Sequence, residues 1–328
     1  MRATDSDGLE KNMKKFAFVF PGQGSQSMGM LDAWGAHPVV AQTLQEASEA
    51  LGEDLTLLIA QGPKEALALT TNTQPVMLVA GVAAYRVWMA EVGVAPDLVA
   101  GHSLGEYSAL VASGVLTLAQ AAPLVRFRAQ AMQQAVPVGV GAMAAILGMD
   151  AAKVVQACAQ AQSSFGAGSA EVVEAANFND PAQTVISGSK AAVERACELL
   201  KAMGAKRTLP LPVSAPFHSS LMKPAAEQLK AQLESVTFSA PQIPVLNNVD
   251  VAIEADVQRI RDALVRQAYG AVRWVECVRS IQASGLVDVV ECGPGKVLAG
   301  LSKRIDPALN GWPLFDPASL TQVKEHLA

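Results

Sequence analysis

Residues 97–107 read Asp-Leu-Val-Ala-Gly-His-Ser-Leu-Gly-Glu-Tyr. An apolar run leads into Gly-x-Ser-x-Gly, and an Ala-rich segment follows as far as Gly114. This order predicts a strand, a sharp turn and a helix, with the hydroxyl of Ser103 raised clear of the sheet edge. The N–H of Leu104 would then lie at a helix start, where unpaired amides favour an oxyanion. The stretch predicts a nucleophilic serine; a Gly-rich turn without chemistry is the alternative.

The composition is typical of a well-buried globular protein. Of the 328 residues, 51% are hydrophobic and 17% are charged. This length predicts one large domain with at most a smaller insert. The formal net charge is −5, so the composition does not indicate the basic surface that binds nucleic acid, and we expect no nucleic-acid partner.

Cysteine usage and hydropathy indicate a cytoplasmic protein. Four cysteines stand far apart in the chain: Cys158, Cys197, Cys277 and Cys292. They lack paired spacing and nearby histidines, so we expect reduced thiols and no metal site. Residues 1–15 lack the apolar core of a signal peptide. Glycines and prolines interrupt the uncharged windows 107–125 and 129–149, which we interpret as core elements, so no membrane partner is expected.

The predicted order of strands and helices divides the chain into two kinds of region. Apolar strands alternate with helices over most of it, which is typical of a parallel sheet covered on both faces. The region 139–214 instead predicts the order βαββαβ of a ferredoxin-like unit. We therefore predict an α/β fold: an α/β-hydrolase-like parallel-sheet domain with an inserted ferredoxin-like subdomain.

The predicted boundaries follow from this division. The parallel-sheet domain takes residues 15–138 and 215–318, and the subdomain takes residues 139–214. The last sizeable helix is predicted after Gly293-Pro294-Gly295. We predict a disordered leader at residues 1–14 and a C-terminal tail at residues 319–328.

A serine hydroxyl needs a base to become a nucleophile. The chain offers His37, His102, His218 and His326. His102 adjoins the serine, but adjacent side chains at a strand end point apart. His37 precedes a proline at a helix start, and His326 lies in the tail. His218 follows Ala-Pro-Phe where the chain re-enters the large domain, which makes it the candidate base, with a satisfied surface histidine as the alternative.

Six motifs carry a resemblance to a known family. In chain order they are Gly22-Gln23-Gly24-Ser25-Gln26, Gly101-His102-Ser103-Leu104-Gly105-Glu106-Tyr107, Asn177-Phe178-Asn179, Pro216-Phe217-His218-Ser219, Asn247-Asn248 and Gly293-Pro294-Gly295. Over residues 15–304 the chain resembles the malonyl-CoA:acyl-carrier-protein transacylases of fatty acid synthesis. The resemblance implies that Ser103 is the nucleophile and His218 its base. Gln23 and the N–H of Leu104 would form the oxyanion hole.

The resemblance also implies a set of substrate-binding residues. Arg128 would pair bidentately with the free malonyl carboxylate, and Arg126 competes for that role. Met132, one helical turn beyond Arg128, would line the acyl pocket. Phe217 would close the pocket over the acyl C2 atom. Gln267 would orient the histidine through an amide or backbone oxygen, since no acidic third member of a triad stands out.

The activity implied by the resemblance is a two-step acyl transfer. The malonyl group would pass from malonyl-CoA to Ser103 and then to the phosphopantetheine thiol of acyl carrier protein, without a metal or bound cofactor. A hydrolase using the same serine differs only in water access to the ester. A dinucleotide site after the first strand is disfavoured because Gly22-x-Gly24 lacks the third glycine. The sequence leaves open whether the carrier serves fatty acid or polyketide synthesis.

Overall fold

The computed structural model describes residues 13–328. Of the leader predicted for residues 1–14, residues 1–12 lie outside the described residues. In this part of the chain the strands are β1 (Phe16–Phe20), β2 (Leu98–Gly101), β3 (Gly141–Leu147), β4 (Val173–Asp180), β5 (Gln183–Ser189), β6 (Arg207–Pro210), β7 (Val245–Leu246), β8 (Asp288–Cys292) and β9 (Asn310–Leu314).

The α-helices surround the strands and connect them. They are α1 (Pro38–Leu51), α2 (Leu55–Gln61), α3 (Lys64–Ala68), α4 (Thr70–Glu91), α5 (Gly105–Ala112), α6 (Leu118–Gln134), α7 (Ala151–Ser163), α8 (Lys190–Ala202), α9 (Lys223–Glu234), α10 (Val257–Tyr269), α11 (Trp274–Ala283), α12 (Val297–Ile305) and α13 (Pro317–Leu327). Over residues 13–328, no helix is both long enough and apolar enough to cross a membrane.

The large sheet is parallel, with the strand order β7-β2-β1-β8-β9. Its central strand β1 is buried at every position. Phe16, Phe18 and Phe20 enter one hydrophobic cluster, whereas Ala17 and Val19 enter a second cluster. This alternation follows from the two-residue period of a strand, and it explains why both faces of the sheet carry helices.

The second sheet is antiparallel, with the order β4-β5-β3-β6. The helices α7 and α8 pack on it and share a separate hydrophobic cluster. The chain order β3-α7-β4-β5-α8-β6 confirms the predicted βαββαβ pattern, and with it the predicted fold class. The exact boundaries assigned to the two domains stay a prediction.

The C-terminal segment contains structure that the sequence pattern did not predict. The predicted last helix is α12, but β9 then pairs with β8 at the edge of the parallel sheet. Helix α13 follows and buries Val323 and Leu327, so most of the predicted tail is helical and packed. Strand β9 reads Asn-Gly-Trp-Pro-Leu, and its Gly and Pro weaken the strand signal; a proline is tolerated there because β9 is an edge strand.

The turn between β2 and α5 brings three pieces of backbone into close contact. A Cβ added at Gly101 would lie 1.8 Å from the carbonyl carbon of Gly105. A Cβ added at Gly105 would lie 2.0 Å from the carbonyl oxygen of Phe20 in β1. Since backbone atoms cannot move aside as a flexible side chain can, this packing of α5 on the sheet requires glycine at both positions.

We expect Gly105→Ala to destabilise the protein by at least about 2 kcal/mol, because the new methyl group overlaps the backbone of β1. Urea unfolding followed by circular dichroism measures this loss. Gly300→Ala in α12 is the control, because its Cβ would be 3.7 Å from its nearest contact, Arg304 Nη1. It should be neutral or stabilising by up to about 1 kcal/mol. An unchanged unfolding midpoint for Gly105→Ala would show that the turn does not require glycine there.

Candidate active site

Ser103 lies at the sharp turn between β2 and α5 with a backbone φ of 52°. This left-handed conformation is uncommon for a residue with a side chain, so its surroundings must hold it. The N–H of Ser103 donates to Asn248 Oδ1 at 2.7 Å. Its carbonyl oxygen accepts from Gln267 Nε2 at 2.9 Å. Both backbone polar groups are therefore fixed, which sets the direction of the hydroxyl.

His218 contacts the serine directly, since its Nε2 lies 2.6 Å from Ser103 Oγ. On the other side of the ring, Nδ1 lies 2.9 Å from the carbonyl oxygen of Gln267 and 3.2 Å from that of Gly270. Carbonyl oxygens only accept, so Nδ1 carries the proton and Nε2 is free to accept the proton of Ser103. Burial, together with the nearby Arg128 cation, lowers the pKa of His218 to about 3. The ring is therefore neutral near pH 7 and suited to act as a base.

Arg128 is 2% exposed and lies on the same side of the site. Its Nη1 donates to Gln74 Oε1 at 2.7 Å, and its Nη2 donates to Gln267 Oε1 at 2.9 Å. Nη2 also lies 3.3 Å from Ser103 Oγ. The guanidinium carbon stands 5.4 Å from the centre of the Tyr107 ring. Two neutral amides and an aromatic ring thus hold a buried cation beside the nucleophile.

Within residues 13–328, no carboxylate forms an ion pair with Arg128. Its Nε, which is buried, also lacks a hydrogen-bond partner there. A buried charge without a direct counter-ion is costly, and burial accordingly lowers the pKa of Arg128. The unused donors can bind an anion that enters the site.

Arg126, the competitor for the carboxylate-binding role, points away from the site. Its Nη1 donates to Asn72 Oδ1 at 2.8 Å, and its Nη2 pairs with Glu53. These contacts hold it on the outer side of α6. Of the two arginines, only Arg128 lines the cavity that contains Ser103.

The cavity in front of Ser103 has a volume of about 270 Å³. The predicted site residues that line it are Gln23, Ser103, Leu104, Arg128, Met132, Phe217 and His218. The remaining predicted residue, Gln267, is fully buried behind Ser103 and His218. It contacts His218 through its backbone oxygen, and its side chain instead contacts Arg128. The cavity is large enough for a short acyl group but not for coenzyme A as a whole.

Two groups are placed as an oxyanion hole would require. The N–H of Leu104 donates no backbone or side-chain hydrogen bond within the described residues, and Leu104 precedes the first residue of α5. The Oε1 atom of Gln23 accepts from Thr70 Oγ1 at 2.9 Å. Since its oxygen is engaged, the amide nitrogen of Gln23 is the group that remains for a ligand.

Three buried polar residues of this site have roles that were not predicted from the sequence. Asn248 donates to the carbonyl oxygen of Gly101 at 2.7 Å as well as accepting from Ser103. Glu106 Oε2 accepts from the N–H of Asn248 and from Gln267 Nε2, both at 3.0 Å. Gln74 binds Arg128 from near the N-terminus of α4. It is the last residue of a polar run, 70–74, so the sequence carries no signal that sets it apart from its neighbours.

The other three histidines have separate contacts. His37 caps α1 through its Nδ1 atom, and His326 Nε2 lies 2.7 Å from Asp288 Oδ1. His102 Nε2 lies 2.8 Å from Asn179 Oδ1, and its ring packs against Trp274. In the part of the chain that the structure describes, no group of three His, Cys, Asp or Glu side chains could hold a metal ion.

Comparisons with known proteins identify the family. The protein-family model of the acyl transferase domain matches residues 17–303 of this chain. The malonyl CoA-acyl carrier protein transacylase of Salmonella typhimurium is 54% identical over 310 residues, which cover 94% of this chain and 98% of that protein.

Two solved structures have the same fold at high sequence identity. The acyl-carrier-protein S-malonyltransferase from Burkholderia pseudomallei is 61% identical, with a TM-score of 0.92, and the match covers 95% of this chain and 100% of that one. A malonyl-transacylase solved in complex with its type II PKS acyl-carrier protein is 51% identical, with a TM-score of 0.92 and the same coverages of 95% and 100%. This chain is a member of the malonyl CoA-acyl carrier protein transacylase family of acyltransferases.

Proposed function

We propose that this enzyme transfers the malonyl group of malonyl-CoA to the phosphopantetheine thiol of acyl carrier protein through a malonyl-serine intermediate. The observation that carries the proposal is the buried guanidinium of Arg128, 3.3 Å from the nucleophilic hydroxyl. In a malonyl thioester one methylene separates the carboxylate from the reacting carbonyl. A cation this close to Ser103 therefore suits that acyl group better than a longer one or one without a carboxylate.

In the first half-reaction, Ser103 Oγ attacks the thioester carbonyl while His218 Nε2 takes its proton. The negative charge on the carbonyl oxygen is stabilised by the N–H of Leu104 and the amide of Gln23. The carbon–sulfur bond then breaks, and His218 returns the proton to the leaving coenzyme A sulfur. The products are the malonyl ester of Ser103 and free coenzyme A.

The second half-reaction is the reverse process with a different thiol. His218 takes the proton of the phosphopantetheine thiol, whose sulfur attacks the ester carbonyl. The bond to Ser103 Oγ breaks, and His218 returns the proton to that oxygen. The two steps need only malonyl-CoA, the carrier thiol and side chains of this chain, so the proposal includes no metal and no bound cofactor. Met132 and Phe217, which line the cavity, would contact the acyl methylene.

The groups that orient His218 are suited to acyl transfer between thiols. Two carbonyl oxygens orient the ring, and they stabilise an imidazolium less than an aspartate would. In the first step a thiolate leaves, which needs little protonation, and in the second step the nucleophile is a thiol, which loses its proton more easily than a serine hydroxyl does. A weak base is therefore sufficient for the proton transfers at sulfur. We propose the cytoplasm as the site of action, as expected for a chain whose four cysteines are free thiols.

Intact-mass measurement after brief mixing with malonyl-CoA should detect one malonyl group per chain. Peptide mapping should place that group on Ser103, and His218→Ala should slow both half-reactions by roughly 10²–10⁴-fold, the range for loss of a general base. A label on a cysteine, or an unchanged acylation rate in His218→Ala, would overturn the assignment. Rapid loss of the label in the absence of a thiol would indicate a hydrolase instead.

The rate of acylation at saturating malonyl-CoA should stay flat from about pH 5 to pH 8. Burial lowers the pKa of His218 to about 3, so the ring is already the neutral base throughout that range. Protonation removes the base only well below pH 5, where the rate should fall. Rapid-quench kinetics across pH measures this profile. An inflection near pH 6.5, the ordinary value for histidine, would show that the ring is not desolvated in this way.

Arg128→Ala should invert the substrate preference. Without the guanidinium, the malonyl carboxylate is buried without a partner, so malonyl transfer should fall by roughly 10²-fold or more. Acetyl transfer should hold or rise, because an acetyl group no longer leaves a buried cation unpaired. The measurement is kcat/KM for malonyl-CoA and acetyl-CoA.

Arg126→Ala is the matched control for Arg128→Ala, because Arg126 lies on the same helix and binds Asn72 and Glu53 outside the cavity. It should leave the ratio of the two kcat/KM values nearly unchanged. Equal losses for both thioesters in Arg128→Ala, or an inverted preference in Arg126→Ala, would refute the assignment of the carboxylate-binding residue.

A further inference from the structure

Glu106 is a buried acid directly behind the nucleophile. It is the second residue of α5 and is 2% exposed. One of its oxygens, Oε2, accepts two hydrogen bonds of 3.0 Å, from the N–H of Asn248 and from Gln267 Nε2. It does not line the cavity and cannot touch a substrate there. Nothing in the proposed reaction uses it.

The side-chain amide of Gln267 connects Glu106 to Arg128. Its nitrogen donates to Glu106 Oε2, while its oxygen accepts from Arg128 Nη2 at 2.9 Å. The positive end of the amide dipole thus faces the acid and the negative end faces the cation. When Glu106 is ionised, it balances the charge of Arg128 through this bridge, although the two side chains form no direct ion pair.

A carboxylate bound at Arg128 would disturb this balance. Two anions would then share one buried cation, and the second negative charge would lack compensation. Protonation of Glu106 restores neutrality at little cost, because a buried carboxyl group is more stable in its neutral form. The substrate carboxylate remains charged because it contacts the guanidinium directly.

We propose that Glu106 is a positioning residue whose charge is replaced by that of the substrate. In the empty site on the alkaline side of neutrality it is ionised opposite Arg128, and it takes up one proton when a carboxylate-bearing acyl group binds. In both states it holds the Gln267 amide so that its oxygen faces Arg128. This inference rests on the proposed function, because it requires a substrate with a carboxylate near Ser103.

The surroundings of Glu106 favour such an exchange near neutral pH. Burial raises its pKa to about 7, while the Gln267 and Asn248 hydrogen bonds and Arg128 act to lower it and Asp250 adds to the rise. Two further titratable groups near it are neutral at pH 7, because burial raises the pKa of Tyr107 to about 12 and the pKa of Cys277 well above its usual range.

Neither histidine of the site titrates in the same range. Burial lowers the pKa of His218 to about 3, and burial also lowers the pKa of His102. Both rings are therefore uncharged between about pH 7 and pH 8.5. A change in substrate affinity across that range points to Glu106.

The sign of the pH effect follows from the exchange. Below about pH 7 Glu106 already holds its proton, so malonyl binding takes up none and the affinity is flat. Above about pH 7 the proton must come from solution, and the malonyl-CoA KM rises by up to about tenfold per pH unit. Acetyl-CoA brings no carboxylate, so its KM stays flat. Because both thioesters carry the same coenzyme A, acetyl-CoA also controls for titration of the phosphates.

Glu106→Gln separates charge from hydrogen bonding. A glutamine oxygen can accept the same two hydrogen bonds that Oε2 accepts, but it carries no charge. In acylation kinetics from pH 6 to 8.5, the wild-type KM for malonyl-CoA should rise about tenfold or more above pH 7. The Glu106→Gln KM should stay flat at the value that the wild type has at low pH.

Glu291→Gln is the matched control. Glu291 in β8 is also fully buried, and burial raises its pKa to about 7, but it does not line the cavity. Its Oε2 accepts from the N–H of Ala299, a bond that glutamine can keep. This variant should retain the wild-type rise of KM with pH.

A calorimetric proton count tests the same exchange without altering Glu106. Malonyl-CoA is titrated into Ser103→Ala at pH 8 in two buffers of different ionisation enthalpy. We expect uptake of close to one proton per site, and no uptake with acetyl-CoA.

Three results would overturn the inference: a flat wild-type KM for malonyl-CoA, a rise that persists in Glu106→Gln, or no proton uptake. A malonyl-selective wild type with one of these results would leave the proposed function standing. A wild type that is acylated equally well by both thioesters would overturn the proposed function itself.

Discussion

The hydrogen bond from Arg128 to the Gln267 side chain holds a positive charge in the interior of the site, 3.3 Å from the nucleophile. Much of the site depends on where this charge is held. The charge of Arg128 acts together with burial to keep His218 neutral. The guanidinium also keeps N–H donors, such as Nε, that have no partner among residues 13–328 and can bind a carboxylate. Since a desolvated cation attracts anions strongly and repels a second cation, one residue both selects the acyl group and adjusts the base.

Gln267 connects the parts of this arrangement through three different groups. Its backbone oxygen orients His218, its side-chain oxygen holds Arg128, and its side-chain nitrogen holds Ser103 and Glu106. A glutamine can do this because its amide both donates and accepts, whereas a carboxylate at the same position would only accept. The helix α10 that carries Gln267 comes from the C-terminal half of the chain, so the site forms only when both halves of the large domain have packed.

Local sequence patterns were sufficient for much of the fold and for two candidate site residues, Ser103 and His218, whereas the resemblance to a family supplied the other predicted residues of the cavity. The strand–turn–helix around Ser103 depends on two glycines and an apolar run, and both are visible in the sequence. Strand β9 was missed because an edge strand tolerates Gly and Pro that weaken its pattern. The buried network was missed for a different reason. Gln74 and Gln267 are 193 positions apart, and only the packed helices bring both amides to one guanidinium.

A crystal structure of the enzyme trapped as its malonyl-serine ester tests the central claim most directly. The account predicts a carboxylate oxygen within about 3 Å of an Arg128 nitrogen, with the Gln267 bridge intact. It also predicts that the ester carbonyl oxygen faces the N–H of Leu104 and the amide of Gln23. A carboxylate that lies in water or against another cation, while Arg128 keeps its present contacts, would contradict the account.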